Sequence, residues 1–252
     1  MATTKAYSLP KSLLKVVGKA VVQHQMIQEG DRVLLGLSGG KDSLTLLLVL
    51  KHLQRHAPIS FELAACTVDP EIPGFDPSPL ASFLSELGIP YFYESHGIMA
   101  QAESSMQGDS FCSFCARMKR GILYSVARRE GYGVLALGQH LDDMAESLFM
   151  SIMYQGKLQT MKANYVIDAG DLRVIRPLMS VRESQTRAFA ESADLPVIKD
   201  NCPACFSKPQ QRQRIKALLH AESQLNPQLF ANIQAAMAAL VADRGTHRDE
   251  ST

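Results

Sequence analysis

Three features that would fix the class of a protein at once are missing from this sequence: a long hydrophobic run, a surplus of one charge and a dense set of cysteines. Because no run of about 18 apolar residues occurs, a membrane-spanning helix is not expected, and no signal-peptide core follows the polar N-terminus. Lys and Arg total 26 against 25 Asp and Glu, so any RNA-binding surface must be a local patch. The sequence predicts a cytoplasmic protein without a membrane partner.

The cysteines are few and unevenly placed. There are five, an odd number that does not suit a disulfide scaffold. Cys112 and Cys115 form one C-x-x-C pair, and Cys202 and Cys205 form another. In a cytosolic protein such pairs indicate metal binding or redox chemistry. Cys66 stands alone in a predicted strand and is expected to be a buried apolar residue.

A content of 46% hydrophobic and 20% charged residues excludes a disordered chain. Apolar runs typical of buried strands alternate with amphipathic helical segments, and the strands are predicted at 32–37, 60–68, 90–94, 134–137 and 172–175. This alternation predicts an α/β fold with a doubly wound parallel sheet and right-handed crossovers. We expect the α/β domain to occupy residues 31–200. A helical extension is expected before it, over 1–30, and a segment with the second cysteine pair and closing helices after it, over 201–252.

A Gly-Gly turn carries the strongest local signal. It lies in Leu37-Ser-Gly-Gly-Lys-Asp-Ser43, between a predicted buried strand and a predicted helix. Two glycines let backbone amides approach a phosphate, and the helix N-terminus adds its positive dipole. Ser38 and Ser43 offer hydroxyl donors, Lys41 a cation, and Asp42 a carboxylate for Mg²⁺. The loop is not a Walker A sequence, and the alternative is an ordinary capped turn.

Two further groups are candidates for a site. Four cysteines brought together suit zinc or an iron–sulfur cluster, and the sequence does not separate these two. Asp142 and Asp143 are predicted to begin a helix, where they either cap it or take part in Mg²⁺ binding. His140, just before them, is either structural or directed at substrate.

Ser38-Gly-Gly-Lys-Asp-Ser43 resembles the loop of the PP-loop ATP pyrophosphatase family without a departure. Residues Met26–Arg214 are similar to the tRNA 2-thiocytidine synthetase group of that family. The similarity includes Arg176-Pro-Leu178 and Arg182-Glu183. The similarity implies an adenine nucleotide alpha hydrolase-like fold. It also implies an enzyme that cleaves ATP between its α- and β-phosphates and adenylates a carbonyl oxygen. With the topological rule for parallel sheets, the expected ATP-binding residues are Gly36, Leu37, Ser38, Gly39, Gly40, Lys41, Asp42, Ser43, Thr67, Asp69 and Gly138.

The resemblance also implies a [4Fe-4S] cluster held by three cysteines, with zinc as the alternative metal. Cys112 and Cys115 are then two ligands and Cys205 the third, with Cys202 as the alternative. The expected catalytic residues are Lys41, Asp42, Asp143, Cys112 and Cys115. The residues expected to contact RNA are Arg117, Lys119, Arg120 and His140.

The expected function is ATP-dependent tRNA sulfur transfer. A pyrimidine C2 oxygen, in cytidine by resemblance, would attack the α-phosphate of Mg²⁺-bound ATP. Sulfide on the open iron, or a cysteine persulfide, would then displace AMP. The expected partners are tRNA, an inorganic or cysteine-desulfurase-derived sulfur donor, and a second copy of the chain in a homodimer.

One motif departs from the family. Its usual Gly-His-His-Arg-Asp-Asp reads Gly138-Gln-His-Leu-Asp-Asp143 here, so that Gln139 and Leu141 replace an imidazole and a cation. Two alternative functions stay open. One is a PP-loop RNA-modifying ligase or amidating enzyme with structural zinc, and the other is a catalytically silent nucleotide- or RNA-binding module.

Overall fold

The structure, a computed structural model, describes residues 7–72, 74–98, 101, 111–198 and 211–242. Its strands are β1 (Arg32–Gly36), β2 (Glu62–Asp69), β3 (Tyr91–Ser95), β4 (Val134–Ala136), β5 (Asn164–Val166) and β6 (Arg173–Ile175). Its helices are α1 (Lys11–Gln23), α2 (Lys41–His56), α3 (Ser78–Leu87), α4 (Phe111–Glu130), α5 (Leu141–Gln155), α6 (Glu183–Ser192), α7 (Gln211–Leu225) and α8 (Leu229–Val241). None of the helices in these ranges is long and apolar enough to span a membrane.

The six strands form one sheet in the order β3-β2-β1-β4-β6-β5. The pairs β3–β2, β2–β1, β1–β4 and β4–β6 are parallel, which confirms the predicted doubly wound sheet for these five strands. The order reverses direction between β1 and β4, the place where such folds bind ligands. The carboxyl ends of β1 and β4 therefore position the site.

Alternate residues of β1 face opposite sides of the sheet, as strand geometry requires. Val33 and Leu35 belong to a core shared with α2, whereas Leu34 belongs to a second core shared with α4. Burial on both faces explains the continuous apolar run by which β1 was predicted. Among the described residues, α4 thus covers one face of the sheet and the other helices contribute to the core on the opposite face.

The structure differs from the sequence prediction at three places. β5 was not predicted, because three residues at a sheet edge carry little periodic signal, and it pairs antiparallel with β6. The opening helix was predicted to reach Gly30, but α1 ends at Gln23, and Gln25 adopts a positive φ of 47° in the turn that follows. The second helix was predicted to begin at Ser43, but α2 begins at Lys41, which places Lys41 and Asp42 in its first turn.

Candidate active site

The loop from Ser38 to Ser43 folds back on the first turn of α2. The Ser38 and Ser43 hydroxyl oxygens lie 3.1 Å apart, and the Gly40 amide donates to Ser38 Oγ over 3.3 Å. Ser43 Oγ donates to the Gly40 carbonyl over 3.0 Å. Gly39 has a φ of 81°, in the left-handed region that favours glycine. The loop is therefore shaped by its own hydrogen bonds at a helix N-terminus, the arrangement that binds phosphate.

We expect Gly39→Ala to destabilise this loop for two separable reasons. The left-handed φ costs a residue with a side chain about 1–2 kcal/mol. A Cβ at Gly39 would also lie 2.8 Å from Ile198 Cδ1, and overpacking of this kind costs about 1–3 kcal/mol. Gly30→Ala is the matched control, because Gly30 has a φ of 78° but nothing within 4 Å of its added Cβ. Urea unfolding of both variants should show the larger loss for Gly39→Ala, and equal losses would contradict the crowding by Ile198.

A cavity of about 460 Å³ opens beside the loop, at the carboxyl ends of the parallel strands. Several predicted site residues line it together: Gly36, Leu37, Ser38, Asp42, Ser43, Lys119, Arg120, Gly138 and Asp143. A Cβ at Gly138 would lie 3.2 Å from the Ser43 amide nitrogen, so glycine allows the end of β4 to approach the loop. The structure thus brings residues from three distant parts of the sequence to one cavity.

Thr67 and Asp69, predicted to bind ATP, hold neighbouring segments in place. The Thr67 hydroxyl is fully buried and donates to the Leu37 carbonyl over 2.8 Å. Asp69 accepts hydrogen bonds from the Tyr93 hydroxyl and the Glu71 amide. Their contacts fix the ends of β1 and β2 beside the cavity, and a contact with ATP stays a prediction for both.

Charged side chains connect the loop to α6 and α7. Lys41 Nζ lies 2.9 Å from Asp42 Oδ2 and 3.1 Å from Glu183 Oε1, and Lys216 Nζ lies 2.8 Å from Glu183 Oε2. The other Asp42 oxygen accepts from the Thr186 hydroxyl. Burial lowers the pKa of Lys41, but its bonds to Asp42 and Glu183 outweigh this and raise the pKa overall. Lys41 is thus a cation at neutral pH.

Glu183 makes the stability of the folded chain depend on pH. Burial alone would raise the pKa of Glu183, but the bonds to Lys216 and Lys41 lower it from 4.5 to about 2. A depressed pKa contributes stability above pH 4.5 that is lost as the pH falls toward 2.

The free energy of unfolding of Glu183→Gln should therefore be about 1–3 kcal/mol lower than that of the wild type at pH 7, and the difference should shrink between pH 4.5 and 2. Glu62→Gln, at an ion pair whose carboxylate side chain is 66% exposed, should change little in the same urea titrations. A pH-independent difference for Glu183→Gln would contradict the ion pairs.

The adjacent residues Asp142 and Asp143 have different surroundings. Asp142 accepts from the Arg182 guanidinium and from the Glu183 amide, so it joins the starts of α5 and α6. Asp143 lines the cavity, where Arg212 Nη2 lies 2.5 Å from its Oδ1. Asp143 is thus the member of the pair that lines the cavity, and its functional role stays a prediction.

His140 caps α5. It is 4% exposed, its Nδ1 accepts from the Asp143 amide, and its own amide donates to Asp143 Oδ2. Its Nε2 lies 3.8 Å from Asp42 Oδ2. Both alternatives from the sequence remain, because the capping role is present and a contact with substrate stays a prediction.

The first cysteine pair lies at the start of α4. Cys115 is half-buried, and Lys119 and Arg120, one turn further on, line the cavity, whereas Arg117 is exposed. The side chain of Cys112 and the whole of Cys202 and Cys205 lie outside the described residues. Within the described ranges, no three His, Cys, Asp or Glu side chains form a metal site. The described donor fits a thiolate-bound metal, since Cys115 follows a helix N-terminus and precedes cations.

Cys66 is buried, as predicted. It is fully inaccessible in β2, and burial raises its pKa to about 12. A thiol of this kind is inert toward metals and oxidants.

The cavity is also lined by residues outside the predicted site, among them Gln139, Met161, Arg176 and Arg212. Arg212 also pairs with Glu146, a carboxylate 4% exposed whose pKa is raised by burial despite that partner. For Arg176 a signal existed, because Arg176-Pro-Leu178 is one of the stretches that match the family. Gln139 was noted as a departure from the family motif, Arg212 belongs to a local cluster of basic residues, and Met161 carries no local signal.

Comparison with known proteins decides the family. Residues 11–222 match the PP-loop domain. The chain belongs to the PP-loop family. This PP-loop protein is 40% identical to the tRNA-cytidine(32) 2-sulfurtransferase of Geobacter sulfurreducens over 229 residues, 90% of this chain and 89% of that relative. It is 38% identical to the Aliivibrio salmonicida protein of the same name, over 94% of this chain and 79% of the relative. The resemblance drawn from the sequence motifs is confirmed.

Solved structures show the same fold for this PP-loop protein. The U34-tRNA thiolase NcsA from Methanococcus maripaludis with its [4Fe-4S] cluster superposes with a TM-score of 0.72 at 24% identity, over 90% of this chain and 78% of that one. The NH3-dependent NAD synthetase from Campylobacter jejuni gives a TM-score of 0.50 at 18% identity, over 92% and 95%. At these identities the likeness concerns the fold alone.

Proposed function

We propose that this chain is an ATP-dependent tRNA sulfurtransferase that converts cytidine, at the position named by its relatives, to 2-thiocytidine. The observation that carries the proposal is the cavity that joins the Ser38–Ser43 loop to α4, the helix with the first cysteine pair. Relatives with that activity match about nine-tenths of the chain. ATP activation and sulfur delivery would thus meet in one space.

The chain's own residues divide the work. The amides of the loop and the N-terminus of α2 bind the ATP phosphates, with Lys41 as a nearby cation. Asp42 and Asp143 both line the cavity, with His140 within 4 Å of each, and are the carboxylates that would hold Mg²⁺. Gly138 keeps the end of β4 clear so that the α-phosphate and the target base can meet beside Ser43.

The reaction is redox-neutral with sulfide as donor. The cytidine C2 oxygen attacks the α-phosphorus and pyrophosphate leaves, which turns that oxygen into part of a good leaving group. Hydrosulfide then adds at C2, AMP departs with the original oxygen, and the hydrosulfide proton passes to solvent. A [4Fe-4S] cluster, when bound by Cys112, Cys115 and Cys205 or Cys202, would supply an open iron that holds sulfide.

The remaining expectations form part of the proposal. Lys119 and Arg120 would meet the tRNA backbone at the cavity mouth, with Arg117 on the exposed side of the same helix. The sequence and the resemblance support three further proposals: a division into residues 1–30, 31–200 and 201–252, a cytoplasmic location, and a homodimer. The proposed sulfur donor is inorganic or derived from a cysteine desulfurase.

Anaerobic purification followed by metal, sulfide and tRNA nucleoside analysis tests the function. We expect roughly four irons and four labile sulfides per chain, as a [4Fe-4S] centre requires. With ATP, Mg²⁺ and sulfide, unmodified tRNA should gain 2-thiocytidine. Stoichiometric zinc without labile sulfide would contradict the proposal and favour an amidating or ligating enzyme. Absence of tRNA-dependent pyrophosphate release would favour a silent binding module.

A further inference from the structure

Arg176 is a buried cation in the cavity wall. It directly follows β6, is 3% exposed, and lines the same cavity as the Ser38–Ser43 loop, called the phosphate loop below. Burying a charge is costly unless it is paired. In the described part of the chain its side-chain hydrogen bonds go to uncharged groups: Nε donates to Gln139 Oε1 over 3.1 Å, and Nη1 to the Lys162 carbonyl over 2.6 Å. A buried arginine whose hydrogen bonds go to uncharged groups is suited to bind a ligand that has hydrogen-bond acceptors.

The guanidinium is fixed in orientation. Hydrogen bonds join it to Gln139, just after β4, and to the Lys162 carbonyl, just before β5. Tyr165 is a further side-chain hydrogen-bond partner, and its ring centre lies 5.5 Å from Arg176 Cζ. A guanidinium has five N–H donors, so others remain for a ligand. Because Gln139 Oε1 accepts from Arg176, the Gln139 amide nitrogen is a second donor at the same wall. This end of the cavity therefore presents donors held in place before a ligand arrives.

The position of this pair separates it from the nucleotide. Arg176 and Gln139 follow β6 and β4, whereas Thr67 and Asp69, two of the residues predicted to bind ATP, lie at the end of β2, on the other side of β1. The phosphate loop lies between these two halves. The half next to β4 and β6 is therefore the space left for the target base.

We propose that Arg176 and Gln139 select cytosine at this site by donating hydrogen bonds to its N3 and O2 edge. The inference rests on the proposed function. Cytosine presents two adjacent acceptors there, which a fixed pair of donors matches, and the second lone pair of O2 stays available for attack on ATP. Uracil carries a hydrogen on N3, so a donor facing it would be left unpaired, and mismatches of this kind discriminate strongly between substrates. Bases exposed in RNA loops are recognised on this edge.

Two anticodon stem-loops that differ only in C or U at the target position test the inference. The holoenzyme's preference is measured twice, as the ratio of kcat/KM for thiolation and as the ratio of Kd without ATP. We expect Arg176→Lys to reduce the preference for C over U by about 10- to 100-fold, the range that one hydrogen bond from a charged group supplies. The KM for ATP should stay within about twofold. Gln139→Leu should reduce the preference by about 2- to 10-fold, as loss of one neutral hydrogen bond does.

Controls separate recognition from structure. Arg128→Lys, at an exposed ion pair with Asp171, should leave both ratios unchanged. If Arg176→Lys unfolds, Gln139→Leu, at a half-buried position, carries the test. If the variants keep the wild-type preference for C over U, whatever their absolute rates, the inference is overturned. It is also overturned if kcat/KM falls equally on both RNAs and the KM for ATP rises. If the wild-type holoenzyme thiolates neither RNA, the proposed function fails, and the Kd ratios still decide whether these residues read the base.

Discussion

Replacing Cys112 by alanine is expected to abolish tRNA thiolation while ATP binding persists. Cys112 is the second residue of α4 and Cys115 lies one turn later, so the two are spaced for one metal centre at a helix N-terminus. The Ser38–Ser43 loop, by contrast, is held by hydrogen bonds within itself and by contacts with Glu183 and Thr186. Removing a ligand should therefore empty the metal site without disturbing the phosphate site.

The effect should be measured under anaerobic conditions. We expect iron, labile sulfide and visible absorption to disappear, and thiolation to fall by more than about 100-fold, the loss that even outer-shell partners of a metal can cause. The Kd for ATP should stay within about twofold. Cys66→Ala is the matched control, because Cys66 is buried in β2 and lies outside both cysteine pairs, so iron and labile sulfide should stay at wild-type levels. Retention of iron and activity in Cys112→Ala would remove the first cysteine pair from the mechanism.

Replacing Lys41 by alanine is expected to lower kcat/KM by about 10²–10³-fold, the cost of removing one electrostatic group from a reacting centre. Lys41 is the first residue of α2, where the helix dipole and the lysine cation would act on the same phosphates. The loss should be kinetic more than structural. Glu183 keeps Lys216 and Asp42 keeps Thr186 as partners, so stability should fall by at most about 1 kcal/mol.

Lys51→Ala is the matched control for Lys41. Lys51 lies on the same helix, and its amine donates to Gln54. Steady-state kinetics with ATP varied should show the loss for Lys41→Ala alone. Activity within twofold of wild type would mean that the Lys41 side chain stays with Asp42 and Glu183 and makes no contact with the phosphates.

The phosphate loop and most of the fold follow from local sequence. A buried strand, two glycines and a helix start predict the Ser38–Ser43 loop, because turn conformation, capping and strand burial are properties of neighbouring residues. The same reasoning located five of the six strands. It failed at β5, whose three residues form a strand only because β6 lies beside them.

The site itself required the tertiary structure. Asp142 and Asp143 are equivalent by local pattern, yet one faces Arg182 and the other faces the cavity and Arg212. Sequence showed a C-x-x-C pair and a phosphate loop, and the packing of α4 against the sheet placed Lys119 and Arg120 in the loop's cavity.

The sequence by itself determined the family, the phosphate loop and the alternation of strands and helices. Only the tertiary structure decided that Gln139 meets Arg176, 37 residues away, and that Glu183 lies between Lys41 and Lys216. The physical reason is that hydrophobic periodicity indicates which face of a helix or strand is buried, and capping residues indicate where a helix begins or ends. Contacts between distant side chains depend instead on how the crossovers align the carboxyl ends of separate strands, and no local pattern encodes that alignment.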